Sequence, residues 1–163
     1  VYDMMMTVAS QFTIDTMRAS DWKRGRTIDN SAIISKLEER GFEVFGRAEF
    51  FFREFGDLTI NVDHPDYKDK PQHSTCVIDL LGESGDRSMV KFAEELAGED
   101  MVFLGKINNE YETLMMSRSG KIFCDTGKVG DDFWEAWEVI INPESEQKVK
   151  SWTTMIESGE IYN

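Results

Sequence analysis

The constraint that most limits how this chain can fold is a run of aromatic residues in A-E-F-F-F-R-E-F. Ala48, Phe51, Phe52 and Phe55 fall at i, i+3, i+4 and i+7, so three rings share one face of a helix. Such a stripe is not stable against water. Each ring gains roughly 1.5–3 kcal/mol on burial, so the rest of the chain must supply a facing apolar surface. Gly56 closes this helix, and Leu58, Ile60 and Val62 then alternate with polar residues as the strand that begins that surface. Upstream, Ile33, Ile34 and Leu37 mark another helix, capped from Asp29, Asn30 or Ser31 and ended by the turn at Gly41.

The other elements follow from the same two periodicities. Residues 12–19 read as a short helix that turns Phe12 and Met17 inward. In the turn after it, Trp22 stands beside Arg24 and Arg26 and reads as a lid over the core edge rather than an anion site. Residues 75–80 form a strand; Met89, Phe92, Ala93 and Leu96 make a second helical stripe that ends at Gly98. Residues 101–107 read as a buried strand with a bulge at Gly105. Beyond a polar turn comes a hairpin of residues 113–116 and 121–124, with Leu114, Met116, Ile122 and Cys124 inward and Gly120 supplying the positive φ. Asp131 or Asp132 caps a helix that buries Phe133, Trp134, Trp137, Ile140 and Ile141 and stops before Pro143. A last helix over residues 145–158 carries Val149, Trp152, Met155 and Ile156 and packs on the outside. The whole chain of 163 residues thus reads as one α+β domain, large enough to need no disulfide or metal for its core.

Charge excludes more than any motif does. The chain carries 18 basic and 31 acidic residues, a formal net charge of −13, which repels nucleic acid and anionic lipid. Residues 131–146 hold Asp131, Asp132, Glu135, Glu138, Glu144 and Glu146 with no Lys or Arg, and residues 79–100 are also strongly acidic. The basic cluster is Arg18, Lys23, Arg24 and Arg26. Acidity of this kind serves solubility, or it offers a landing surface for a basic protein partner. No apolar run approaches the roughly 18 residues that span a bilayer, and the segment V-Y-D-M-M-M has no basic n-region of a secretion signal. Cys76 and Cys124 lie in apolar runs without CxxC spacing, as buried thiols in a reducing cytoplasm would.

Catalytic signatures are missing. There is no phosphate-binding G-x-x-x-x-G-K-[ST] loop, G-x-S-x-G elbow, H-E-x-x-H helix or zinc-deaminase pattern. Asp63, Asp66 and Asp69 are spaced like part of a calcium loop, but the turn glycine and terminal bidentate Glu are absent. His64 and His73, in the same Pro-containing segment, read as solvated loop residues. The expectation is therefore a non-enzyme with no catalytic residues, no metal and no cofactor.

A resemblance can be stated on particular residues. W-x-R-G-R at Trp22 to Arg26, the Gly41-Phe42 step, F-F-R-E-F-G-D-L from Phe51 to Leu58, S-G-K-I-F from Ser119 to Phe123 and D-x-W-E-A-W-E from Asp132 to Glu138 occur in an order and spacing similar to the SUKH superfamily, most closely its third subfamily. The resemblance covers residues 18–142, leaving the Asp63–Asp69 segment and the helix after Pro143 as departures. It implies helices packed on one side of a mixed, mostly antiparallel sheet. It also implies a bacterial immunity protein, cytoplasmic, that binds the toxic domain of a secreted polymorphic toxin and spares the producer.

Combined with the charge, the resemblance points to a basic toxin domain as partner, such as a nuclease, bound by a monomer or weak homodimer that occludes the active site. Candidate toxin-binding residues, chosen on charge alone, are Asp63, Asp66 and Asp69, then Glu94, Glu95, Glu99 and Asp100. A protein-binding scaffold and a small-molecule sensor using the cleft under the Phe51 helix remain open as other readings.

Overall fold

The structure, a computed structural model, describes residues 2–62, 73–76 and 87–161. Within them the chain runs α1 (Tyr2–Met6), α2 (Gln11–Ala19), α3 (Ser31–Glu39), α4 (Gly46–Phe55), β1 (Thr59–Val62), β2 (His73–Cys76), α5 (Ser88–Ala97), β3 (Met101–Ile107), β4 (Glu112–Ser117), β5 (Ile122–Cys124), β6 (Gly127–Gly130), α6 (Phe133–Ile141), β7 (Lys150–Ser151) and α7 (Trp152–Ser158). The strands lie side by side in chain order, β1 to β7, and every described pair is antiparallel. This is the α+β architecture read from the sequence, except that helices cover both faces of the sheet rather than the one side that the resemblance implies, and every described strand pair is antiparallel.

The aromatic stripe finds its partner in α6. Phe51 stacks on Trp137 with ring centroids 6.1 Å apart, and Phe55 sits edge-on to Phe133, Trp134 and Trp137 at 5.3–5.8 Å. Trp22 closes the cluster edge-on to Trp134 at 5.2 Å. Edge-to-face and offset pairs of this kind add to the gain from area burial alone. Phe51, Phe52, Phe55, Trp134 and Trp137 are all essentially inaccessible. The helix pair lies over one face of the sheet, where Met116 joins Phe50 and Phe133 around a groove. Register places Ile122 opposite Met116 and Cys124 opposite Leu114, so these four share that face, as the hairpin pattern requires.

The other face of the central strands is also covered. Phe103, Met115 and Phe123 pair across β3, β4 and β5 on that side. Trp152 of α7 stacks flat on Phe123, with centroids 5.2 Å apart and planes 4° from parallel, and Phe92 of α5 meets Trp152 edge-on. Coverage on both faces is why all seven residues of β3 are buried. The register of β3 against β4 shifts between Phe103 and Gly105, the expected bulge. At Gly120 the φ is +93°, and a Cβ there would meet the Arg47 guanidinium at 2.6 Å.

Several expectations are corrected. Phe12 is 44% exposed; the neighbouring Thr13 is buried instead, because its hydroxyl donates to Glu138 of α6. Among the described side chains of α5 the buried ones are Val90 and Ala93, while Phe92 stays at the rim against Trp152. The last helix starts at Trp152, not 145, because residues 150–151 pair with β6 and the Trp152 indole donates to Asp125 O. His73 belongs to β2, paired with Val62, rather than to a loop.

Phe55→Ala should cost about 3–5 kcal/mol in denaturant unfolding, the range for deleting a fully buried ring. Phe50→Ala on the same helix, where the ring is 44% exposed, should cost a small fraction of that.

Candidate functional site

Glu94, Glu95, Glu99 and Asp100 gather where α5 hands over to β3, around a groove of about 530 Å³ also lined by Arg87, Lys91 and Arg118. Most of that charge is already used within the fold. Glu94 pairs with Arg87 at 2.7 Å and accepts the Met101 N–H at 2.9 Å, tying the helix to the strand. Glu99 accepts both the N–H and the hydroxyl of Ser119 at 2.9 Å, fastening the β4–β5 turn. Arg118 bridges Glu43 at 2.5 Å and Asp100 at 3.4 Å, and bonds to Glu43 and then Asp100 raise its pKa. Glu95 is exposed, with no bonding partner among the described residues. Asp63, Asp66 and Asp69 lie outside the described residues.

Other charged motifs also prove to be internal fastenings. The Trp22 indole N–H donates to Glu54 Oε2 at 2.9 Å, and Arg26 donates to the carbonyls of Glu54 and Gly56, tying the W-x-R-G-R turn to the end of α4. Burial lowers the Arg26 pKa, against the opposing pull of Asp57, Glu54 and Asp21. Asp132 caps α6 by accepting the Glu135 N–H, and Glu135 reaches back to the Asp131 N–H, a capping box. Glu138 accepts from Ser10 and Thr13 at the start of α2 and from Asn142 on its own helix. Burial alone would push the Glu138 carboxyl up, but bonds from Asn142, Thr13 and Ser10 outweigh it and hold the pKa down.

The opposite end of the sheet differs. The β3–β4 turn places three successive non-glycine residues in the left-handed region, with φ of +54° at Asn108, +56° at Asn109 and +74° at Glu110. Asn tolerates this region; Glu does not, and each such residue costs about 1–2 kcal/mol. Tyr111 follows, 85% exposed. Glu112 accepts from Asn108 and Thr126, and Asp125 accepts from the Thr113 N–H at 3.4 Å. Burial pushes the Asp125 carboxyl up; Glu112 adds to this, against the Thr113 N–H and Lys106. Beside the turn lies a groove of about 280 Å³ whose lining includes Val62, Ile107, Val129, Ile140, Pro143 and Val149. Val62 and His73, paired across β1 and β2, bracket residues 63–72. Charge-based reading passed over this turn, although Asn108-Asn109 was a local signal for left-handed backbone.

Among the described residues no group of three or more His, Cys, Asp or Glu side chains is placed to hold a metal, and no helix is long and apolar enough to cross a membrane. Cys124 is a buried free thiol whose pKa burial pushes up. Compared with known families, residues 9–143 match the model described as SUKH-3 immunity protein. No curated protein and no solved structure matches the chain.

Two outcomes follow. Because its folded pKa is depressed, Glu138 contributes stability above the ordinary glutamate range near about 4.3 and loses it as pH falls through the folded value. Glu138→Ala should therefore cost about 1.5–3 kcal/mol at neutral pH, with a gap to the parent that narrows below about pH 4 in denaturant melts. Glu110→Gly should raise stability by up to about 1 kcal/mol, since glycine adopts positive φ without the side-chain clash.

Proposed function

The chain belongs to the SUKH-3 immunity protein family, and from that premise we propose that it neutralises a cognate toxin by binding its toxic domain and covering the active site. We assign the partner to the basic, nucleic-acid-acting class of toxins. A site that holds phosphates must be basic, and a chain of net charge −13 is complementary to it. That charge is the observation carrying the reading. Long-range attraction steers the two proteins together, with association reaching about 10⁸–10⁹ M⁻¹s⁻¹ at low salt, while short-range packing sets how long the complex lasts. The protein acts without catalysis, in the cytoplasm where such a toxin would strike, as one copy per toxin domain.

The structure supports a division of labour in this account. Carboxylates occupied in caps and ion pairs, such as Glu94, Asp132 and Glu138, still contribute to the overall field, but are not available to bond a partner without disturbing the fold. Exposed Glu95 contributes to steering, and so do Asp63, Asp66 and Asp69.

Co-expression with the toxic domain encoded by the adjacent gene should restore growth, and the purified pair should form a one-to-one complex of nanomolar or tighter affinity that weakens as salt rises. Reversing Asp63, Asp66 and Asp69 to Lys should slow association and flatten its salt dependence. Rescue of growth without a stable complex would overturn occlusion.

A further inference from the structure

We infer that the β3–β4 turn, Asn108 to Glu112, together with the groove beside it, is the face that seats in the basic cleft of the toxin, with Tyr111 as its anchor. This deepens the occlusion reading and rests on it. Three independent observations converge on the turn. Tyr111 is the most exposed of the large apolar side chains among the described residues, at 85%, and it is flanked by Glu110 and Glu112. Its two strands are almost wholly buried, so the ring is offered from a rigid base rather than a mobile one. The turn keeps Glu110 at a positive φ that glycine would satisfy better, and held strain of this kind gathers at functional positions.

Charge selects the partner. Glu110, Glu112 and Asp125 form no ion pair with Lys or Arg among the described residues; the bonds that Glu112 and Asp125 accept come from neutral Asn108, Thr126 and the Thr113 N–H. Two cations lie nearby: buried Lys106 bonds the Thr113 hydroxyl and acts on Asp125 through space, and Lys148 lines the groove and donates to Pro143 O. A basic partner thus meets Glu110 and Glu112 outside any ion pair with the described residues, unlike the other end of the sheet, where Arg87 and Arg118 occupy Glu94, Glu43 and Asp100. The other exposed rings fit less well. Phe50 is flanked along α4 by Arg47 and Arg53, the wrong sign for a basic cleft, and Phe92 leans on Trp152. Tyrosine suits an anchor because it brings a large ring with only two side-chain torsions to fix, and aromatic residues dominate the energetics of interfaces. The groove beside the turn, where Ile107, Ile140 and Val149 join Asn108, Glu112 and Lys148, extends the contact.

The test uses the full chain and the purified toxic domain encoded by the adjacent gene, with binding followed by surface plasmon resonance and folding by thermal melt. Tyr111→Ala should weaken binding about 30-fold or more, mainly through faster dissociation, with an unchanged melting temperature. Glu110→Lys should slow association at low salt, and Phe50→Ala should bind like the parent. If the parent binds tightly and Tyr111→Ala and Glu110→Lys both stay within about threefold of it, the turn is not the contact face, and the occlusion reading survives without it. If the parent itself does not bind, the occlusion reading fails and this inference fails with it.

Discussion

The fold depends on one contact, the wedge of Phe51 and Phe55 against Trp134 and Trp137. Neither α4 nor α6 is long enough to persist alone in water, since helices of nine or ten residues are marginal without packing. Joined through their aromatic faces they cover one side of the sheet, and the polar fastenings around them only make sense once that contact exists. Trp22 reaches Glu54 because α4 is held in place, and Glu138 can cap α2 because α6 is. The sheet in turn gains a second layer from α5 and α7, so β3 and β4 are shielded from both sides and form a stiff platform.

An excess of 13 negative charges would be a liability for a compact fold if every carboxylate faced only its neighbours. The structure answers this by using acids as acceptors for backbone N–H groups. Asp132 and Glu138 cap helices, Glu94 holds the start of β3, and Glu99 holds the β4–β5 turn. A carboxylate that accepts a backbone bond remains negative and still contributes to the field at a distance, but close to a partner it has little left to give. The far field and the near contact can therefore be set by different residues: at the α5–β3 end Arg87 and Arg118 pair with Glu94 and Asp100, whereas Glu110 and Glu112 at the β3–β4 turn form no ion pair among the described residues.

Much of this was legible in the sequence, and the misses have physical causes. The stripe at Ala48, Phe51, Phe52 and Phe55 read correctly because four apolar positions at helical spacing leave no alternative face. The hairpin read correctly because the alternation of Leu114 with Met116 and of Ile122 with Cys124 is matched by Gly120 at the turn. Phe12 was placed in the core because a ring outranks a threonine on any apolar scale, yet the Thr13 hydroxyl finds a carboxylate 125 residues away. Residues 145–149 carry helix-forming side chains, but pairing at β6 and the stack of Trp152 on Phe123 set where the helix begins. Glu94, Glu95, Glu99 and Asp100 were chosen on charge alone, and Arg87, Arg118 and Ser119 become neighbours of three of them only through the fold. The strained turn could not be seen from charge, since its character lies in backbone angles.

In the proposed complex the toxin is met by the β3–β4 end of the sheet and not by the acidic end of α5. Hydrogen–deuterium exchange on the protein, alone and saturated with the purified toxic domain, tests this directly. The account predicts slowed exchange in peptides covering residues 107–113, with little change in those covering 94–100. Protection confined to residues 94–100, with the β3–β4 turn exchanging as in the free protein, would contradict it.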